Sequence, residues 1–150
     1  EDMSNAAMAE ELMKVNADSL GAVGRAKFDE LTGKIYPDAC KKQYRAAKEA
    51  YDSGEYDTVI SSLETVMQMD ESYNDGAAML LLAQGYEKKG DQDKANTTYQ
   101  KIIETWPDTD VATQAQQALD AQSGNTDNSD SKKSDDTKKN SDNDDNGDNN

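Results

Sequence analysis

One stretch of the chain, residues 79–107, carries a pattern of apolar and small residues that restricts it to a pair of helices. It reads Met79-x2-Leu82-Ala83-x2-Tyr86, then Gly90, then Ala95-x3-Tyr99, then Pro107. Apolar residues three and four apart lie on one face of a helix. Gly90 and Pro107 stand where helices usually end, because glycine adopts the left-handed turn and the residue before proline avoids the helical region. The stretch therefore predicts two helices joined by a turn at Gly90.

The residues on either side predict more helices of the same kind. Pro37 suits the first turn of a helix that runs to Asp52 and is stopped by Gly54. Further apolar residues follow at helical spacing, namely Val59, Ile60, Leu63, Val66 and Met67. A helix from about Asn74 to Lys88 comes next. The last helix begins after Thr109 or Asp110, either of which can cap it, and its apolar stripe is Val111, Ala115, Ala118 and Leu119.

The segment Gly54-Glu55-Tyr56-Asp57 resembles Gly90-Asp91-Gln92-Asp93, and the two glycines are 36 residues apart. Together with the pattern over 79–107, this resembles the tetratricopeptide repeat, whose period is about 34 residues. The surplus falls in the connection at residues 72–75. The first unit matches less well, with Ala46, Ala47 and Ala50 at the positions of the family's Leu, Gly and Tyr.

The resemblance implies an all-α fold of antiparallel helix-turn-helix repeats, about two units and a capping helix, in a short right-handed superhelix over residues 37–121. Residues 122–150 contain no aliphatic, aromatic or sulfur side chain, so we predict a disordered tail. Residues 1–36 carry two apolar stripes, Met8-Leu12-Val15 and Leu20-Val23-Phe28-Leu31-Ile35. These predict a helical extension that either packs on the first repeat or forms a stalk.

In the family, the first helix of each unit lines a groove that binds a partner. On this chain the resemblance implies a groove lined by Lys41, Tyr44, Lys48, Tyr51, Asp52, Leu80, Gln84, Glu87 and Lys88. Tyr44 and Leu80 stand where capture of a terminal carboxylate would need basic side chains, so we expect an extended peptide instead, held by stacking and main-chain hydrogen bonds. The alternative is an ordinary solvated helix face.

Composition argues against catalysis and against several kinds of partner. The net charge is −15, His is absent, and Cys40 is the single cysteine, which we interpret as a buried apolar residue. We expect no catalytic residue, no metal site, no cofactor and no nucleic acid partner, since no segment is strongly basic. No run of residues is apolar enough to span a membrane. The opening of a calcium loop at residues 142–147 lacks flanking helices, and we attribute it to composition.

The predicted function is a non-catalytic module that binds a protein or peptide. The alternatives are a structural spacer or oligomerising stalk with weak self-association, and an accessory domain of a larger envelope enzyme or sensor. The turn over residues 105–111 is similar to that of bacterial envelope repeat proteins, such as the carboxy-terminal domain of the Tol-Pal coordination protein. This resemblance implies an extracytoplasmic location, anchored by a segment upstream of Glu1, with the cytoplasm as the alternative.

Overall fold

The computed structural model describes residues 4–124. This part of the chain is an all-α helical repeat of six α-helices, without strands. The helices are α1 (Asn5–Met13), α2 (Ala22–Asp52), α3 (Tyr56–Met69), α4 (Ala77–Lys89), α5 (Gln92–Thr105) and α6 (Asp110–Gly124), and a short 3-10 turn covers Ala17–Ser19. The predicted fold class, antiparallel helix-turn-helix repeats, is confirmed.

The two glycine turns predicted to be equivalent have the same geometry. Gly54 and Gly90 both take left-handed backbone conformations, with φ of 77° and 89°. After each glycine, the next N–H donates to the carbonyl that lies in the last turn of the preceding helix, at 2.8 Å for Glu55 and 2.9 Å for Asp91. This pairing satisfies carbonyls that a helix end otherwise leaves without a donor. The hairpins α2–α3 and α4–α5 therefore have the same type of glycine turn.

The core lies between successive helices. Its largest fully buried side chains are Tyr99, Leu63, Ile102, Val59, Val66 and Cys40. Small residues let the helices approach each other. Ala83 is fully buried, and a Cβ added to Gly85 would lie 3.0 Å from Val59 Cγ1. The sequence pattern indicated the small residue at Ala83 but not the one at Gly85.

The prediction that a helix begins at Pro37 is wrong. Helix α2 begins at Ala22 and continues through Pro37 for 31 residues. Proline has no N–H, so the carbonyl of Gly33, four residues earlier, loses its usual donor. Both residues are exposed, which leaves that carbonyl open to water. The helix persists because its buried side chains lie on both sides of the proline.

Helix α1 packs on this continuous helix. Ala9 is 1% exposed and belongs to a small apolar cluster with Ile35 and Ala39, which Met8 and Leu12 partly cover. Of the two arrangements that the sequence left open for the N-terminal region, α1 has the packed one. Apolar residues predicted on the same stripes are nevertheless exposed, Val15 by 39% and Val23 by 85%.

The connection between the two repeat units is a left-handed turn. Asn74, Asp75 and Gly76 have φ of 56°, 52° and 87°. Three consecutive positive φ values cannot belong to a right-handed helix, so α4 begins at Ala77 and not at Asn74 as predicted. The added residues of this connection bring Gly76 against the ring of Trp106.

The turn before the last helix follows the prediction. Thr109 Oγ1 accepts the N–H of Ala112 at 3.3 Å, which caps the start of α6. Helix α6 continues to Gly124, so it includes residues 122–124, which the sequence assigned to the tail. The rest of the predicted tail and the calcium-like segment at 142–147 lie outside the described residues.

Candidate functional site

The predicted binding face depends on the first helix of each unit lying beside the next. Helix α2 contacts α4, and α4 contacts α6. Every other helix pairing within residues 4–124 joins neighbours in the chain, apart from a contact between α1 and α3. The helices α2, α4 and α6 thus form one side of the array, which we call the inner face.

Two of the predicted residues on α2 are brought together. The Tyr44 ring meets the Tyr73 ring edge-on, with centroids 5.7 Å apart and planes at 64°. Lys48 Nζ lies 5.9 Å from the Tyr44 ring centroid, near the outer limit of a cation–π contact. Tyr44 is half-buried and packs partly on the core. Its ring is therefore fixed from one side and accessible from the other.

A second tyrosine pair lies at the end of α2. Tyr51 and Tyr56 meet edge-on with centroids 5.7 Å apart and planes at 71°. Tyr51 is half-buried, whereas Asp52 and Lys41 are exposed. An edge-to-face pair adds about 0.5–1.5 kcal/mol beyond the burial of its area. The predicted tyrosines are therefore held in place before any partner binds.

The predicted residues on α4 offer less surface. Leu80 is 7% exposed and belongs to the core, and Gln84 is half-buried. Glu87 accepts a hydrogen bond of 2.7 Å from the hydroxyl of Tyr99, which is 1% exposed. Lys88 is exposed. The structure thus places the accessible part of the predicted groove mainly on α2, and the groove assignment itself stays a prediction.

Carboxylates hold two buried tyrosines between the helices. Tyr86 donates to Glu64 Oε1 at 2.7 Å, in the same manner as Tyr99 donates to Glu87. Burial, reinforced by these hydrogen bonds, raises the pKa of both tyrosines well above the usual value. Both hydroxyls therefore stay protonated at neutral pH, and the bonds join α3 to α4 and α4 to α5.

The basic side chains fall into two groups. Seven ion pairs hold the first group within residues 4–124, those of Lys14, Arg25, Lys27, Lys34, Lys89, Lys94 and Lys101. No carboxylate in that range pairs with the second group, Lys41, Lys42, Arg45, Lys48 and Lys88. Four of these five lie on two turns of α2. Lys41, Lys42, Arg45 and Lys48 thus form a local cationic cluster on α2, and the absence of a nucleic acid partner stays a prediction.

Cys40 is a buried thiol, as predicted. It is fully buried in the core. Burial, with a smaller contribution from Asp70, raises the pKa of the Cys40 thiol to about 11. The thiolate is the reactive form of cysteine, so this side chain is protonated and shielded at neutral pH.

The described residues show neither a metal cluster nor a membrane-spanning helix. Between Ser4 and Gly124, no group of three or more His, Cys, Asp or Glu side chains is placed to hold a metal ion. Over the same range, no helix has both the length and the apolar character needed to cross a membrane.

Sequence reasoning missed Tyr73, Tyr56, Lys42 and Arg45 in this region. Tyr73 lies in the surplus residues of the inter-unit connection, whose path could not be read from a helical period. Arg45 follows Lys41 at helical spacing and Lys42 is the next residue in the chain, but a cluster can be recognised only once its neighbours are known to leave it unpaired.

The comparison with protein families follows the second hairpin. Residues 77–109 match the family model described as the tetratricopeptide repeat. The match begins at the first residue of α4, covers α5 and ends at the capping Thr109. It supports the predicted repeat family, whose members generally mediate protein–protein interaction. No curated protein and no solved structure matches the chain, so the similarity to the Tol-Pal coordination protein has no support from a relative.

Proposed function

We propose that this chain is a non-catalytic interaction module that binds an extended segment of a partner protein along the inner face of α2. The observation that carries the proposal is the pair of half-buried tyrosines, Tyr44 and Tyr51, each fixed edge-on by a second tyrosine. Tyrosine is enriched at interfaces because it offers a large surface with few rotatable bonds. Fixing the ring beforehand lowers the entropy lost on binding.

The spacing of the two tyrosines favours an extended partner segment. Tyr44 and Tyr51 lie two turns apart on one helix, which separates them by about 10 Å at 1.5 Å per residue. An extended chain advances about 3.3 Å per residue. Three residues of such a chain therefore span the distance between the two rings, and alternate side chains can stack while the main chain bonds to the tyrosine hydroxyls.

The test is a selection of peptides on the full chain, followed by affinity measurements on variants. We expect Tyr44→Leu and Tyr51→Leu to weaken the selected peptides by about tenfold, as loss of an interfacial aromatic usually does. Leucine keeps most of the apolar packing on the core. Tyr36→Leu, a half-buried tyrosine on the α1 side of α2, is the matched control and should leave affinity unchanged. Equal binding to all variants, or amide shifts that avoid Tyr44 and Tyr51, contradicts the proposal.

A second candidate, an oligomerising stalk, has one observation in its favour. Val23 is 85% exposed near the start of α2, where a second copy could cover it. Sedimentation velocity separates the two functions. Self-association that Val23→Lys abolishes supports the stalk, whereas a monomer at all concentrations supports the interaction module.

We also propose an extracytoplasmic location. Support comes from the likeness of the turn at residues 105–111 to turns in bacterial envelope repeat proteins, and from the Asp, Asn, Ser and Lys composition of residues 125–150. Antibody labelling of intact cells and of permeabilised cells tests the location. Labelling that needs permeabilisation of the inner membrane places the chain in the cytoplasm and overturns the proposal.

A further inference from the structure

Four cations stand together on α2 without a carboxylate partner within residues 4–124. They are Lys41, Lys42, Arg45 and Lys48. On a chain with 31 acidic and 16 basic residues, a cation usually has a carboxylate nearby, and between Ser4 and Gly124 seven other basic side chains are paired with one. An unpaired cluster of this kind attracts an anion from outside the described fold.

Within residues 4–124, the acidic residues nearest in sequence form no ion pair with the cluster. Asp38 accepts a hydrogen bond of 3.0 Å from the side-chain nitrogen of Asn5. Glu49 and Asp52 are each four residues after a cation, a spacing that allows an ion pair, but neither is paired within residues 4–124. Their exposed carboxylates moderate the local charge without occupying the lysine and arginine heads.

The cluster borders a cavity between α1 and α2. The cavity has a volume of about 360 Å³, and it is lined by Asn5 and Ala6 of α1 and by Asp38, Ala39, Lys41, Lys42 and Arg45 of α2. Asn5 and Ala6 belong to the first turn of α1, whose free N–H groups add a partial positive charge. Three cationic side chains and the first turn of α1 thus border one space, together with the Asp38 carboxylate.

The size of the cluster indicates what kind of anion it fits. Residues 41–48 cover about 10 Å of helix at 1.5 Å per residue, which matches three or four residues of an extended peptide. A nucleic acid would extend beyond this patch on a chain whose net charge is −15, and the excess of acidic residues disfavours it. Screening over about 8 Å at physiological ionic strength lets a short segment respond to the local cations alone.

We propose that the segment bound by this chain is acidic, and that its side-chain carboxylates contact Lys41 next to Tyr44 and then Lys42 and Arg45 on the side of α2 toward α1. The inference rests on the proposed function, because it names the chemistry of the same partner. Lys41 and Lys48 belong to the predicted groove, and Lys42 and Arg45 extend it toward α1. The tyrosines supply stacking surface, and the cations select for Asp and Glu in the partner.

The test uses the full chain and two fluorescent peptides of alternating residues, one of Asp and Ser and one of Asn and Ser. Both are acetylated and amidated, so that no terminal carboxylate contributes. We expect the Asp peptide to bind about tenfold more tightly than the Asn peptide at low salt, and to lose most of that advantage when salt screens the exposed charges.

Two matched variants separate local recognition from overall charge. The test variant combines Lys41→Gln with Lys42→Gln. The control combines Lys27→Gln with Lys34→Gln, which lie on the same helix and change the net charge equally, but whose lysines pair with Glu30. The first variant should weaken the Asp peptide at least about fivefold, and the second less than about twofold. Equal losses, equal binding of the Asn peptide, no binding, or tighter binding of single-stranded DNA or phosphatidylserine vesicles overturns the inference. Peptides selected in the earlier experiment would still bind through Tyr44 and Tyr51, so the proposed function is judged separately.

Discussion

The indole ring of Trp106 packs directly on Gly76, and a Cβ added at Gly76 would lie 2.9 Å from the ring atom Cε3. Gly76 precedes α4 and Trp106 follows α5, so this contact joins the two ends of the second hairpin. Gly76 also has a φ of 87°. Glycine is thus required here both for its backbone conformation and for its lack of a side chain.

We predict that Gly76→Ala lowers the free energy of unfolding by about 2–4 kcal/mol, because left-handed strain and overpacking each contribute on the order of 1–2 kcal/mol. Gly90→Ala is the matched control. Gly90 has a φ of 89° but no atom within 4 Å of the added Cβ, so it incurs the strain without the clash. Urea unfolding measures both, and equal losses would show that the Trp106 ring does not confine Gly76.

The continuity of α2 is tested at Pro37. We predict that Pro37→Ala raises the free energy of unfolding by on the order of 1 kcal/mol, because alanine restores a donor to the Gly33 carbonyl and removes the ring clash. Gly33→Ala should also stabilise, by about 0.5–1 kcal/mol, since its added Cβ meets no atom within 4 Å. Thermal unfolding measures both changes. If the helix instead began at Pro37, neither substitution would raise the stability of the protein.

The tyrosine–carboxylate bonds predict a dependence on alkaline pH. The folded protein raises the pKa of Tyr99, whereas an unfolded tyrosine titrates near pH 10. The stabilisation is therefore complete below about pH 10 and is lost as the pH rises toward the folded pKa, because the unfolded state deprotonates first. We expect Tyr99→Phe to lower the free energy of unfolding by about 1–3 kcal/mol at pH 7. The difference in unfolding free energy between this variant and wild type should become smaller above about pH 10.

A control for the Tyr99 experiment is Tyr56→Phe. The Tyr56 hydroxyl makes no hydrogen bond within residues 4–124, so the substitution should change stability by less than about 0.5 kcal/mol at pH 7. Urea unfolding at several pH values gives both comparisons. A gap between Tyr99→Phe and wild type that stays constant into alkaline pH would show that Tyr99 ionises alike in both states.

Cys40 predicts slow thiol chemistry in the folded state. Its full burial and its pKa of about 11 leave little accessible thiolate near neutral pH. We expect alkylation by iodoacetamide to be slower than for an unfolded cysteine by at least about a hundredfold, because reaction needs transient opening. Ser53→Cys in a Cys40→Ala background provides an exposed reference on the same chain. Equal rates for Cys40 and this reference would show that the thiol is accessible.

Much of the fold follows from local sequence rules, because its determinants are local. Gly54 and Gly90 end helices through backbone bonds that involve only nearby residues, and the apolar stripe of α3 follows the helical period. The predicted helix start at Pro37 was wrong because proline is expected inside a helix only in its first turn. That rule assumes that tertiary contacts cannot compensate for a missing hydrogen bond. Ile35 and Ala39 bury the same face on either side of Pro37, and their contact with Ala9 becomes visible only in three dimensions.

The candidate site was less predictable, because it depends on which side chains remain unsatisfied. The positions of Tyr44 and Lys48 follow from the repeat pattern, and the structure brings them together. Leu80 occupies an equivalent position but is buried, since neighbouring helices cover it more fully than the pattern implies. The partners of Tyr44 and Tyr51 come from α3 and from the connection after it, which a single-helix pattern does not include.

Within residues 4–124, each helix contacts only its first and second neighbours in the chain, and this has a consequence for how such a protein changes size. Because α2 to α6 each rest on elements close to them in sequence, a hairpin added beyond α6 would leave the existing contacts of α2, α3 and α4 as they are. The end helix would alone have to exchange its water-facing glutamines for apolar side chains. Adding a whole hairpin therefore requires new apolar residues only on the face of α6 that the hairpin covers, and the existing core stays unchanged.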